Sequence, residues 1–222
     1  MATSVGREAA FIGKITAGAT HEIRNVLAII KESAGLVEDL LHLSTQRGSL
    51  DHERVLKALA RIEAQVARGA EVATNLNRVA HTPDHDVRTV DLDEEVRRVV
   101  FHAQRSARRR SQTVRAVDGA TPPPFQASPL RVQMAVYAAV EVCLGRLGEG
   151  ETLDVRIVIE EGHPAVQLEP RPANGSGQGD ADGTALAELK ETLKDLGVSL
   201  EDSGNGVELT LLFAPEGKTP VE

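Results

Sequence analysis

The chain has 222 residues, with 25 Lys and Arg against 33 Asp and Glu, for a formal net charge of −8. A hydrophobic content of 41% excludes wholesale disorder, and the acidic balance argues against a nucleic-acid binder. Aromatics at 2% and a lone cysteine, Cys143, exclude base-stacking platforms, disulfide frameworks and Cys-rich zinc modules; one thiol suits a reducing compartment. The opening MATSVGREAA lacks the basic start and apolar run of a signal peptide. No stretch approaches the ~18 apolar residues of a membrane span, so a cytoplasmic protein without membrane contact is expected.

Proline is absent from Phe11 to Leu43, and apolar residues recur at Ile15, Ala19, Ile23, Val26, Ile30, Val37 and Leu41. These steps predict one long amphipathic helix. Gly48 reads as its C-cap and Ser49 as the next N-cap, with Asp51 and Glu53 in the following first turn. The second helix carries a heptad-like seam of Val55, Leu59, Ile62, Val66, Gly69 or Ala70, Ala73, Leu76 and Ala80, and ends before Pro83. Small residues near its middle permit close approach of another helix. Two such helices joined by a tight turn make an αα-hairpin. One hairpin leaves an apolar flank wet, so pairing into a four-helix bundle, a homodimer, is expected.

His81 to Thr89 reads as a polar linker. Beyond it Asp91 and Glu94 form a capping-box start, and Val96, Val99, Val100 and Ala103 continue a helix. Thr113 to Val117 reads as a short strand, Pro129 to Leu147 as a helix, and Leu153 to Ile159 and Ala165 to Leu168 as strands. A glycine-rich loop from Asn174 to Gly183 precedes a helix from Ala185 to Leu196, then strands Val198 to Leu200 and Val207 to Phe213. The expected fold class is α plus α/β: a hairpin over residues 1–82, a linker over 83–89, an α/β layer of about four strands and three helices over 90–216, and a tail over 217–222.

Chemistry concentrates at His21-Glu22-Ile23-Arg24-Asn25. On a helix, residues i and i+4 share a face, so His21 and Asn25 project together beside the apolar seam. An accessible neutral imidazole is a nucleophile toward phosphorus; Glu22 is placed to orient the other ring proton, and Asn25 to donate to a phosphoryl oxygen or position a water. These residues resemble the phosphoacceptor box of two-component histidine kinases, and Phe11-Ile12 before it and Leu27-Ala28-Ile29-Ile30 after it are similar to that family's phosphoacceptor helix. The resemblance implies that His21 is the phosphorylated residue, Glu22 its acidic helper and Asn25 an aid to dephosphorylation. Val26 departs from the family's usual proline, which should straighten the helix.

The same resemblance implies that the second region is the family's ATP-binding domain, with Val90-Asp91-Leu92 like its opening and Leu209 to Pro215 like its closing strand. Its nucleotide positions are altered. Glu141 stands where the family's magnesium-binding asparagine is expected. Glu169 replaces the adenine-reading aspartate, Arg171 replaces a glycine that makes room for the ring, and Gly183-Thr184-Ala185-Leu186-Ala187 keeps only one glycine of the phosphate box. Bulk where backbone must approach a ligand argues against ATP binding. The expected protein is therefore a histidine phosphotransferase of a bacterial phosphorelay, without a tightly bound cofactor. It would pass phosphoryl groups between aspartates of response-regulator receiver domains, which supply Mg2+. An upstream histidine kinase is a further partner. An autokinase with divergent boxes and a non-catalytic scaffold are the alternatives.

Three other features carry residue types that could bind a ligand. Gly175, Gly177 and Gly179 lack the following lysine of a P-loop, Asp180-Ala181-Asp182-Gly183 lacks the flanking ligands of a calcium loop, and a remnant lid is expected there. His81 and His85 have metal-ligand spacing, but Pro83 interrupts the helix that would aim both, so no metal site is expected. Arg97, Arg98, Arg105, Arg108, Arg109, Arg110 and Arg115 form a basic cluster, read as a solvated helix face or a dock for an acidic partner.

Overall fold

The computed structural model describes residues 4–82, 87–171, 183–202 and 208–213. The expected glycine-rich lid, the calcium-loop echo, His85 with its neighbours, and the tail lie outside them. The chain divides into two compact units, Met1–His81 and Thr82–Glu222.

The first unit is two helices, α1 (Ser4–Arg47) and α2 (His52–Ala80). Gly48 takes φ +75°, a left-handed cap open to glycine without a side-chain penalty. The second cap is Asp51, not Ser49: the Asp51 carboxylate accepts from the Arg54 N–H at 3.1 Å. A carboxylate at that position also meets the positive helix end. The α1 seam buries Phe11, Ile15, Ala19, Val26, Ser33 and Leu40. Leu40 replaces the expected Leu41, which faces outward. Val26 lies within an unbroken α1, and a Cβ on Gly69 would stand 3.2 Å from its Cγ1, so a larger residue at 69 would crowd Val26.

On α2 the seam is rotated from the expected one. Ala58, Val72 and Val79 are buried, whereas Leu59, Val66, Ala73 and Ala80 are exposed. Heptad periodicity fixes a stripe but not which edge of a broad stripe meets the partner helix. At about 100° per residue, Leu27 and Leu41 on α1 and Leu59 and Val66 on α2 fall on one side of the seam. Leu27 is 59% and Val66 56% exposed, so this side is an apolar flank.

The second unit contains β1 (Arg88–Val90), α3 (Leu92–Arg109), β2 (Thr113–Ala116), β3 (Phe125–Ala127), α4 (Pro129–Arg146), β4 (Thr152–Glu160), β5 (His163–Arg171), α5 (Gly183–Leu196), β6 (Val198–Asp202) and β7 (Leu209–Phe213). β1 and β3 form a separate antiparallel pair, so Arg88 and Thr89 belong to a strand rather than to the linker. The main sheet runs β2-β4-β5-β7-β6, with only the β2–β4 pairing parallel. Its alternation puts Val114, Leu153, Val155, Ile157, Val166, Leu168, Leu209 and Leu211 on one buried face, under α3, α4 and α5. α5 ends at Gly197, φ +73°, which turns the chain into β6. The Asp91 cap is as expected, its Oδ1 accepting from the N–H groups of Asp93 and Glu94.

A buried ionic cluster joins α3, α4 and β1. Glu95 is 2% exposed. Arg98 Nη1 donates to both its oxygens at 2.8 and 2.9 Å, Gln133 Nε2 donates to Oε2 at 2.6 Å, and Arg88 Nη2 to Oε1 at 3.3 Å. Arg98, 9% exposed, also donates to Glu94. Arg98 is therefore not part of a solvated basic face.

Candidate functional site

His21 and Asn25 lie on exposed positions of α1, across the seam from the apolar flank. Their spacing brings Asn25 Nδ2 within 3.3 Å of His21 Nδ1. Among the described residues Asn25 is the ring's one hydrogen-bond partner. This contact ties the amide orientation to the tautomer. With the NH2 group toward Nδ1, that nitrogen is the acceptor and the proton resides on Nε2. Turning the amide by half a rotation lets Oδ1 accept from Nδ1–H and leaves the Nε2 lone pair free.

Sequence reasoning assigns Glu22 to the ring of His21. In the fold, Glu22 points into the hairpin: its Oε1 accepts from Arg68 Nε at 2.9 Å and Nη2 at 2.5 Å. Adjacent helix residues diverge by about 100°, and the angle that exposes His21 turns Glu22 toward α2. Arg68 also donates from Nη1 to Glu71 Oε2 at 3.1 Å. Arg68 and Glu71 escaped the sequence reading because both stand on the other helix, where only the hairpin register reveals them.

The altered nucleotide positions do not converge. Glu141 is on α4, over the helix-covered face of the sheet; Tyr137 hydrogen-bonds to it and Arg110 Nη2 is 3.5 Å away. Burial first, then the Glu141 charge, pushes the Tyr137 hydroxyl above its ordinary pKa. Glu169 and Arg171 alternate with the buried Leu168 and so lie on the opposite face. There Arg171 donates to Glu169, and Arg156 Nη1 is 3.7 Å from the same carboxylate. Directly across from Glu169 on β4, Asp154 is held by Arg115 Nε at 2.6 Å and Arg171 Nε at 3.3 Å. The Arg115 hydrogen bond and charge, with Arg171 behind it, hold the Asp154 carboxyl below its ordinary range against the opposing effect of burial. Gly183 begins α5. Glu141 and the Glu169–Arg171 pair therefore stand on opposite faces of the sheet.

The arginine cluster is likewise dispersed into pairs: Arg97 with Asp93, Arg98 with Glu94 and Glu95, Arg110 with Glu141, and Arg115 with Asp154. Cys143 is buried in α4, and burial pushes its thiol up to about 12, which removes it from thiolate chemistry. Among the described residues no group of three or more His, Cys, Asp or Glu could hold a metal ion, and no helix is long and apolar enough to cross a membrane.

No protein-family model and no curated protein matches the chain. Among solved structures it is similar to a bacterial phosphotransferase, at 12% identity and a TM-score of 0.49 over 92% of this chain and 96% of that one. It is similar also to the Acinetobacter baumannii histidine kinase AdeS, at 13% and 0.45 over 89% and 98%. A third is the histidine kinase ThkA in complex with the response regulator protein TrrA, at 16% and 0.43 over 95% and 64%. Likenesses this distant weigh nothing beside the residues themselves.

Proposed function

We propose that the chain is a histidine phosphotransferase of a two-component phosphorelay, accepting and donating phosphoryl groups at His21. The observation that carries this reading is an exposed imidazole on a rigid hairpin whose Nδ1 is engaged by Asn25. That contact leaves Nε2 as the outward nitrogen. In the forward step the Nε2 lone pair attacks the phosphorus of an aspartyl phosphate on a receiver domain. An N–P bond forms as the P–O bond breaks, and the electron pair leaves on the aspartate carboxylate. Nδ1 keeps its proton, which Asn25 Oδ1 accepts after the amide turns. The ring holds no proton at Nε2, so none has to leave. Transfer in either direction runs through this step and its reverse. Catalysis is positioning together with charge stabilisation by the receiver's magnesium, and no ATP step is needed. The exposed apolar flank supports pairing of two hairpins into a four-helix homodimer.

The test is transfer from phosphorylated receiver domains to the purified protein. Acid-labile label appears on the wild type and not on His21→Ala. Label from magnesium-ATP alone would favour an autokinase, and no label from any receiver would favour a scaffold.

A further inference from the structure

The second helix of the hairpin supplies a residue that governs the acid beside His21. Arg68 Nε and Nη2 take Glu22 Oε1 at 2.9 and 2.5 Å, and Nη1 takes Glu71 Oε2 at 3.1 Å. The pairs Glu22–Arg68 and Glu32–Arg61 set the antiparallel register. With that register His21 comes level with the turn of α2 that carries Arg68, Glu71 and Asn75. Within two turns of that level the charged groups are Lys14, Glu22 and Arg24 on α1 and Arg68, Glu71 and Arg78 on α2. Both acids among them are bound by one guanidinium. Glu22 and Arg68 are half-buried, where an ion pair is screened less than at the surface. Asn25, a neutral group, meets the His21 ring.

From this we infer that Arg68 is a positioning residue: it holds the Glu22 carboxylate in the hairpin seam and off the neighbouring imidazole. A neutral ring is the form that attacks phosphorus, and a free carboxylate one residue away would favour the protonated form. Arg68 therefore keeps the Glu22 charge engaged in the hairpin rather than turned to the ring. The inference deepens the phosphoacceptor reading of His21 and rests on it for its meaning. Its test uses no phosphoryl donor, so the two fail separately.

The experiment is an NMR titration of His21 in the full chain, assigned by loss of its signal in His21→Ala. Arg68→Met should raise the His21 pKa by about half a unit or more, as expected for one charge at about 5 Å in a largely aqueous setting. Arg68→Met with Glu22→Gln should return it to within about 0.2 of wild type, because the released charge is gone. Arg68→Lys, which keeps the cation, should leave it near wild type. The inference is overturned if Arg68→Met leaves the pKa unmoved, since Arg68 is then only a brace. It is overturned also if the rise survives Glu22→Gln, since the rise then reflects loss of the arginine's own charge or release of Glu71 rather than of Glu22. Should Arg68→Met not fold, Arg68→Gln takes its place, with the same rise expected and an unmoved pKa overturning the inference.

Discussion

The Glu95 cluster permits a quantitative test of how the second unit is held. In Glu95→Met the inner N–H groups of Arg98 and the Gln133 amide lose their acceptor inside the protein. Arg88 is exposed enough to be rehydrated, and Arg98 retains Glu94. Breaking one partner of a buried pair costs about 3–5 kcal/mol, and the surviving Glu94 contact places this variant near the lower end, about 3 kcal/mol. Arg98→Met leaves a carboxylate that is 2% exposed with only Arg88 and Gln133 to balance it, again about 3 kcal/mol. The double variant removes both charges and fills the space with apolar atoms, so it should lose only about 1 kcal/mol. Urea denaturation followed by tyrosine fluorescence isolates this unit, because Tyr137 is the only tyrosine and stands in α4. With a slope of about 2 kcal/mol per molar, each single variant should shift the midpoint down by about 1.5 M and the double variant by about 0.5 M. Single variants within about 0.5 M of wild type, or a double variant as weak as the two effects combined, would refute the claim that the pair acts as a unit.

Three further outcomes follow from the geometry. Val66→Lys places a charge in the apolar flank of α2, and sedimentation equilibrium should show dimer dissociation at least a hundredfold stronger than wild type; an unchanged mass would refute the bundle. Asp154 has a folded pKa below its unfolded value, so its stabilisation is present above about pH 4 and is lost as pH falls through the lowered folded value. Asp154→Asn should therefore be less stable than wild type at pH 7, with the gap closing in acid melts. A Cβ on Gly35 meets nothing within 4 Å, so Gly35→Ala should stabilise α1 by about 0.5–1 kcal/mol in thermal melts, since the helix interior gains propensity without a clash.

The hairpin was legible because its information is local. A proline-free run, a glycine stop and apolar steps of three and four define two helices without knowledge of the partner. The same pattern could not separate Leu40 from Leu41, or the edge carrying Val72 from the edge carrying Val66, because both edges are apolar. β1 and β3 were missed for a different reason: three residues each, Arg88–Val90 and Phe125–Ala127, leave no room for alternation. At the site, His21 with Asn25 follows from spacing alone. Glu22 with Arg68 does not, since the partner lies 46 residues away. Arg98 was misread because a run of arginines looks solvated until the carboxylate beneath it is located.

The placement of Glu169 and Arg171 on the open face also bears on reversibility. Aspartate and glycine at those two positions would leave the acid on the side of the sheet away from α4. Bringing position 169 beneath the helices needs a one-residue slip of β5 between β4 and β7, and that slip would turn Val166 and Leu168 out of the core. No single substitution at position 169 or 171 moves that side chain beneath the helices, because the pairing of β5 with β4 and β7 fixes which residues face them.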